Sequence, residues 1–388
     1  MGYLHSTCEQ ICAQCVSDDD LKTWIDSSPL GSCSFCGEKQ VGVVEFRKFL
    51  DRVEEVIGQH FGQAVDDLPY NSREGGYQGI TFDTDYVLTY VGLDFPENCN
   101  GDDLRQRVLW HFESFEPWCE FDWTTLDDHQ ALVSSWEQFC DAIKHQRRFF
   151  FLRPANEESA DENDRDHVSF SELLSEIATL SERSGLIKTF PIRTRLHRAR
   201  VFKTGVTPST ALELGPPPAA KALQSNRMNP PGVPMMYLSD TQSCAVKELG
   251  TVEKGHKVHT GTFKTTRPLR ILDYSKLPPA PGYFSGAGRK KILLHRFLRH
   301  FVKEITRPVA RDDRIHLDYL SSQVATEFLR DYDFLDGIIH GIRYPSTVAK
   351  KGTNLVLFGG PELVDPSPAK WKRKPEKILE LIAIDSPI

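Results

Sequence analysis

Phe46, Phe49, Leu50, Val53, Ile57 and Phe61 recur three and four residues apart, which places them on one face of a helix. Leu104, Val108, Leu109, Phe112 and Phe115 repeat the pattern, as do Leu132, Trp136, Phe139, Cys140 and Ile143. Residues 41–155 therefore read as mainly helical, a bundle interrupted by the loop sequence Pro69 to Gly79. The stretch Asn156 to Asp166 offers almost nothing to bury and reads as linker. Leu173, Leu174, Ile177 and Leu180 then predict a short bridging helix, so that residues 156–189 join two domains.

The period changes after residue 190. Arg195 to Phe202 alternates as a strand does, and Val233 to Leu238 is a second short strand. Asp240 or Thr241 is placed to cap a helix running through Glu248. Val258–Phe263 and Leu269–Leu272 read as further strands. Leu293, Leu294, Phe297, Leu298, Phe301, Val302 and Ile305 share a helical face, as do Leu317, Leu320, Val324, Phe328 and Leu329. Ile338–Tyr344 and Leu355–Phe358 close as strands. This mixture is α+β, in a domain spanning 190–365 with 366–388 as a C-terminal tail. No internal repeat is present.

Composition narrows the class. The chain has 388 residues, 39% hydrophobic and 26% charged, an ordinary globular balance for two or three domains. A net charge of −7 argues against a general phosphate-backbone binder, so nucleic acid is disfavoured as a partner. No apolar run approaches the roughly 20 residues that span a bilayer, and Met1 to His5 lacks the features of a secretion signal. The expectation is a cytoplasmic protein with no membrane partner.

Nine cysteines are present, five of them within the first 36 residues. Cys12 and Cys15 form one C-x2-C pair, and Cys33 and Cys36 a second. Two such knuckles bring four thiolates to one tetrahedral Zn²⁺, and four sulfur ligands leave no open position, so the zinc is structural. Residues 1–40 thus read as a zinc ribbon, in which Gly37 suits the tight turn of a knuckle. Cys8 and His5 stand nearby as alternative ligands. Cys99, Cys119, Cys140 and Cys244 read as small buried residues.

The runs Leu196-His197-Arg198-Ala199-Arg200, Gly215-Pro216-Pro217, Asn226 to Gly232, Met236-Tyr237-Leu238-Ser239, Ala245-Val246-Lys247-Glu248, Arg343-Tyr344-Pro345-Ser346 and Asn354 to Phe358 occur in order. Together they resemble the RES domain, over about residues 190–365. The resemblance implies a fold similar to the ADP-ribosyltransferases. It implies a toxin that degrades NAD by hydrolysis or phosphorolysis of the nicotinamide–ribose bond, or that transfers ADP-ribose to protein, and that pairs with a cognate antitoxin. By motif, the family's Arg, Tyr, Glu and Ser fall on Arg227, Tyr237, Glu248 and Ser346, and a further recurrent Arg on Arg198. His197 stands where an aromatic is more usual.

The residue types suit that chemistry. A pyrophosphate calls for arginines that fork onto its oxygens, the role open to Arg198 and Arg227. Breaking the nicotinamide–ribose bond builds an oxocarbenium-like ribose, which a carboxylate stabilises, and Glu248 is the candidate. Tyr237 would stack on nicotinamide or bond the ribose, and Ser346, after Pro345 at a strand end, would bond the amide or a ribose hydroxyl. Taken singly, each has a plainer reading: Glu248 and Arg227 as surface charges, Tyr237 as a strand core residue, Ser346 as a turn residue. Only the ordered set points to a site.

Residues 41–155 resemble the helical HEPN/RES segment that precedes some RES domains. HEPN bundles in many cases cut RNA with an Arg and a His on one helix, and Arg105 and His111 have a compatible spacing. An RNase or RNA-binding protein is therefore the reading of another class. A polar helix face is the plainer reading, and regulation of the RES domain the leading role for this segment. The partners expected are NAD and an antitoxin or other regulatory protein, with self-association left open.

Overall fold

The computed structural model describes residues 9–97, 101–115, 117–120, 126–149, 168–309, 315–365 and 377–385. The polar stretch 156–166, Cys8, His5 and Cys99 lie outside them. The chain forms two compact units: residues 1–131 with 279–296, and residues 132–278 with 297–388. The first unit ends at Ala131, and residues 279–296 return to it from within the second half of the chain.

In the first unit, β1 (Gln10–Cys12), β2 (Leu30–Ser32) and β3 (Lys39–Glu45) form an antiparallel sheet in the order β1-β3-β2. Helix α1 (Asp19–Asp26) packs on it. The acidic run before that helix has a structural use: Asp18 accepts the Leu21 amide at 2.9 Å as N-cap, and Asp19 and Asp20 occupy the positive end of the helix dipole. Helix α2 (Phe46–Gly58) buries the predicted face, Phe46, Phe49, Leu50, Val53 and Ile57. Phe61 instead enters β4 (Phe61–Gln63), which belongs to a second small sheet with β5 (Thr81–Phe82) and β6 (Trp118–Glu120), in the order β4-β6-β5. Helices α3 (Thr84–Tyr90) and α4 (Gly101–Phe112) complete the unit. Residues 41–131 are thus helices interleaved with a small sheet, not a plain bundle. One hydrophobic cluster runs from Ile11 through Phe49 and Phe112 to Phe284.

The second unit opens within α5 (Asp128–Asp141) and continues with α6 (Phe170–Arg183). Its strands are β7 (Ile187–Phe190), β8 (Arg195–Lys203), β9 (Met235–Ser239), β10 (His256–Thr265), β11 (Leu269–Asp273), β12 (Gly341–Pro345), β13 (Thr353–Phe358), β14 (Val364–Asp365) and β15 (Leu379–Asp385). They make one nine-stranded sheet in the order β14-β15-β10-β8-β9-β13-β12-β11-β7. β11–β12 and β14–β15 pair in parallel and the other neighbours antiparallel. Strand β15 corrects the expectation of a tail beyond 365: Thr260 to Thr265 of β10 pair with it. The helices α7 (Gln242–Glu248), α8 (Arg289–Thr306, from Phe297 onward in this unit) and α9 (Leu320–Asp331) lie in the same chain segment.

One face of the sheet is an apolar core of Leu196, Met236, Leu238, Phe263, Leu355, Leu357 and Leu379. Strand residues alternate faces, so Tyr237 and Ser239 share the other face with Asn354, which sits opposite Ser239 and Tyr344 in register. Helices supply the second core. Trp136 of α5 meets Phe301 edge-on at 5.0 Å and Phe139 at 5.4 Å, and Phe139 meets Phe170 at 5.4 Å. Tyr274 is buried against Phe301 and hydrogen-bonds the Ser181 hydroxyl at 2.8 Å.

Candidate active site and cysteine centre

Helix α7 begins at Thr241, whose hydroxyl accepts the Cys244 amide, while Asp240 accepts the Thr353 amide instead. The helix ends on Glu248, which is half-buried. Its Oε1 accepts two hydrogen bonds, from Ser346 Oγ at 2.6 Å and Asn354 Nδ2 at 2.6 Å. Asn354 is buried and its own carbonyl accepts from Ser239 Oγ at 2.7 Å. Ser346 is held in turn by the Val348 and Ala349 amides, which donate to its oxygen at 3.2 and 2.9 Å. Its proton therefore goes to Glu248, and it orients the carboxylate rather than offering a free hydroxyl. The turn returns through Gly352, where a Cβ would stand 2.7 Å from Cys244 Sγ.

Arg227 and Tyr237 are joined through the loop between them. The Tyr237 hydroxyl donates to Asn229 Oδ1 at 2.7 Å and accepts the Met228 amide at 3.1 Å, so its polar end fixes the loop that carries Arg227. Gln323 of α9 pins the same loop through the Asn226 and Asn229 carbonyls. The Arg227 guanidinium donates to the Ile305 carbonyl at 3.0 Å and lies over the Tyr319 ring at 5.4 Å. It pairs with no carboxylate among the described residues. Burial pushes the Tyr237 and Tyr344 phenols well up, and the nearby Arg227 charge pulls both back down. Glu248 pushes Tyr344 up. Arg227, Tyr237, Tyr344 and Glu248 therefore share one electrostatic neighbourhood.

Arg198 touches this group at the Tyr237 backbone carbonyl, 3.4 Å away, from the other face of its strand. His197 is opposite Ser239 in register, so His197 takes the face of Tyr237 and Asn354, and Arg198 takes the apolar one. Its guanidinium reaches Met236 Sδ at 3.2 Å, and burial pulls it down to about 9. Asn354 is the residue the sequence reading passed over. The available signal was a polar side chain opening an otherwise apolar strand, Asn354-Leu355-Val356-Leu357-Phe358. Truncating Asn354→Ala leaves Ser239 and Glu248 short of a buried partner, and should cost about 1–3 kcal/mol of stability. A lowered denaturation midpoint in urea checks this.

Arg105 and His111 are not brought together. Six residues of helix separate them by about 9 Å and turn them toward different faces. Arg105 is engaged by Asp85 at 2.8 Å and by Thr89 at 3.0 Å, and His111 packs edge-on against Phe112.

The four cysteines converge in the first unit. Sγ atoms of Cys12, Cys15, Cys33 and Cys36 all lie within 4.8 Å of one another. Three of the edges are 3.9 Å (Cys12–Cys15), 3.4 Å (Cys12–Cys36) and 3.6 Å (Cys15–Cys33). A tetrahedron with metal–sulfur bonds of about 2.3 Å has edges of about 3.8 Å, so the donor set fits Zn²⁺. Gly37 has φ +77°, the left-handed conformation that closes the second knuckle, and its amide bonds the Cys33 carbonyl at 3.2 Å.

Residues 26–157 match the family described as HEPN/RES N-terminal domain 1, and residues 195–373 match the RES domain. No curated protein and no solved structure matches the chain.

Proposed function

We propose that this chain, a RES domain preceded by a HEPN/RES N-terminal domain, cleaves the nicotinamide–ribose bond of NAD through Glu248. The RES match supports an NAD-acting enzyme of the NAD-degrading toxin family. The observation that carries the reading is the carboxylate oxygen of Glu248 shared by Ser346 and Asn354, with Arg227, which pairs with no carboxylate among the described residues, in the same neighbourhood.

The chemistry follows from that arrangement. As nicotinamide departs with its bonding electrons, positive charge spreads over the ribose carbon and ring oxygen. A carboxylate fixed in place by two donors stabilises that charge without reorganising. Arg227, with no carboxylate partner among the described residues, has donors for the pyrophosphate. Tyr237 positions Arg227 by holding its loop. Arg198 serves the sheet beneath. Water or phosphate then takes the ribose carbon.

The test is incubation with NAD while nicotinamide is followed, with and without phosphate and with a labelled adenine to trace the ADP-ribose. Nicotinamide release with label in solution is expected. Label retained on protein would instead make the chain an ADP-ribosyltransferase, and intact NAD under every condition would end the proposal. Ser346→Ala removes one of two donors to Glu248 and leaves Arg227 alone. A fall of about tenfold to a hundredfold in kcat with KM nearly unchanged is expected, the scale of a misplaced catalytic group.

We also infer that Cys12, Cys15, Cys33 and Cys36 hold one structural Zn²⁺. Supporting this are the sulfur edges above and the reduced state of all four thiols. Among the described residues no helix is long and apolar enough to cross a membrane. A thiol-rich metal site suits the reducing cytoplasm.

A further inference from the structure

Four neighbouring strands each place one polar side chain in a row on the sheet face that meets Glu248. His197 of β8 sits opposite Ser239 of β9, Ser239 opposite Asn354 of β13, and Asn354 opposite Tyr344 of β12. Neighbours in such a row have Cβ atoms about 4.5–5.5 Å apart. Three of the four are engaged. His197 Nδ1 lies 3.1 Å from the Thr262 hydroxyl, Ser239 donates to Asn354 at 2.7 Å, and Asn354 donates to Glu248 Oε1 at 2.6 Å. Tyr344 is the exception. It is only 6% exposed, yet its hydroxyl has no hydrogen-bond partner among the described residues.

Burial tells where that hydroxyl leads. Among the described residues, the fully buried polar side-chain atoms without a partner are all histidine nitrogens. The Tyr344 hydroxyl lacks a partner and is not one of them, so the small exposed part of this side chain includes its polar end. The strand that presents it is anchored from the opposite face, where Arg343 bonds Asp273 at 3.1 Å and the Thr353 hydroxyl at 3.0 Å. Two residues on, Ser346 donates at 2.6 Å to the same Glu248 oxygen as Asn354 does. Tyr344 thus neighbours both groups that hold the carboxylate, one along its own strand and one across the strand pair. Burial keeps its phenol protonated, against the pull of the Arg227 charge, so the open group is a donor.

We propose that Tyr344 is a substrate-binding residue whose hydroxyl donates to a hydroxyl of the nicotinamide ribose. The proposal rests on NAD being the substrate and on Glu248 facing its ribose. A ribose whose reacting carbon faces the carboxylate carries its own hydroxyls beside that carbon, within the reach of a donor that flanks the carboxylate. Ser346 does not fill this role, because its proton is spent on Glu248. Tyr237 does not fill it either, because its hydroxyl donates to Asn229. Tyr344 is the tyrosine of this face whose hydroxyl the protein leaves open.

The experiment uses the full chain and Tyr344→Phe, which keeps the ring and removes only the hydroxyl. Nicotinamide release is followed from NAD and from two analogues, with the 2′- or the 3′-hydroxyl of the nicotinamide ribose replaced by hydrogen. On NAD, kcat/KM should fall about fivefold to tenfold, the scale of one lost neutral hydrogen bond. On one of the analogues, variant and parent should agree within twofold, because the hydroxyl that Tyr344 would meet is already gone. Each comparison is made on one substrate, so the analogue's own reactivity cancels. The melting temperature of Tyr344→Phe should equal or exceed that of the parent, since no protein partner is lost. A melting temperature lower by several degrees would show that the hydroxyl serves the fold, and would overturn the proposal. Activity on NAD within twofold of the parent, or an equal loss on all three substrates, would overturn it while leaving NAD as substrate. A parent that releases no nicotinamide from NAD would overturn both.

Discussion

Replacing Glu248 with Gln should lower kcat/KM for nicotinamide release by about a thousandfold, near 4 kcal/mol of transition-state stabilisation. The size follows from what the substitution spares. Gln matches Glu in shape, and its carbonyl oxygen can still accept from Ser346 and Asn354, which donate to Oε1 at 2.6 Å each. Those two hydrogen bonds survive, and the negative charge is lost. The melting temperature should therefore stay close to that of the parent while turnover collapses. Kinetics and a melt on the same preparation separate the two effects. Activity retained within tenfold would show that the carboxylate charge is not what carries the reaction.

Losing the metal should have the larger structural effect. Cys12, Cys15 and Cys33 are buried in the same cluster as Ile11, Leu21, Phe46 and Phe49. The cysteine centre is thus built into the core of the first unit rather than attached to it. Structural zinc contributes about 10–16 kcal/mol in small zinc-binding peptides, against about 5–15 kcal/mol of stability for a whole domain. Cys15→Ala, or exhaustive chelation, should unfold the first unit. Metal analysis should find one zinc per chain in the parent and much less in the variant, and proteolysis should cut readily between residues 9 and 60. A metal-free chain with the parent's melting curve would show that hydrogen-bonded thiols suffice.

Local pattern made much of this legible. The face of α2 was visible as spaced apolar residues, and the cysteine centre as two short spacings. Glu248 at the end of a Thr241-capped helix and Ser346 after a strand were visible as ordered motifs. What escaped were facts of pairing and face. Alternation along Arg195 to Phe202 was plain, but which parity faces the site depends on β9, forty residues away, through the pairing of His197 with Ser239. Arg198 shares its face with Leu196, and Leu196 belongs to the apolar core. Likewise the apolar spacing of Trp136, Phe139 and Ile143 announced a helix and gave no sign of the core it joins. That core is set by Phe301 and Phe170, far along the chain. Strand β15 follows a sequence rich in Pro and Lys, which disguised a strand that only pairing with β10 and β14 reveals.

The return of residues 279–296 to the first unit has a consequence in time. Phe284 is part of that unit's buried cluster, so the cluster waits for a segment made long after its other members. The second unit waits longer. Asn354, which holds Glu248, and β15, which pairs with β10, are both made about a hundred residues or more after Glu248. Ribosomes add about 5–20 residues per second, so Glu248 spends seconds on a nascent chain without its partner. An enzyme that consumes NAD would then stay idle for as long as Asn354 is missing.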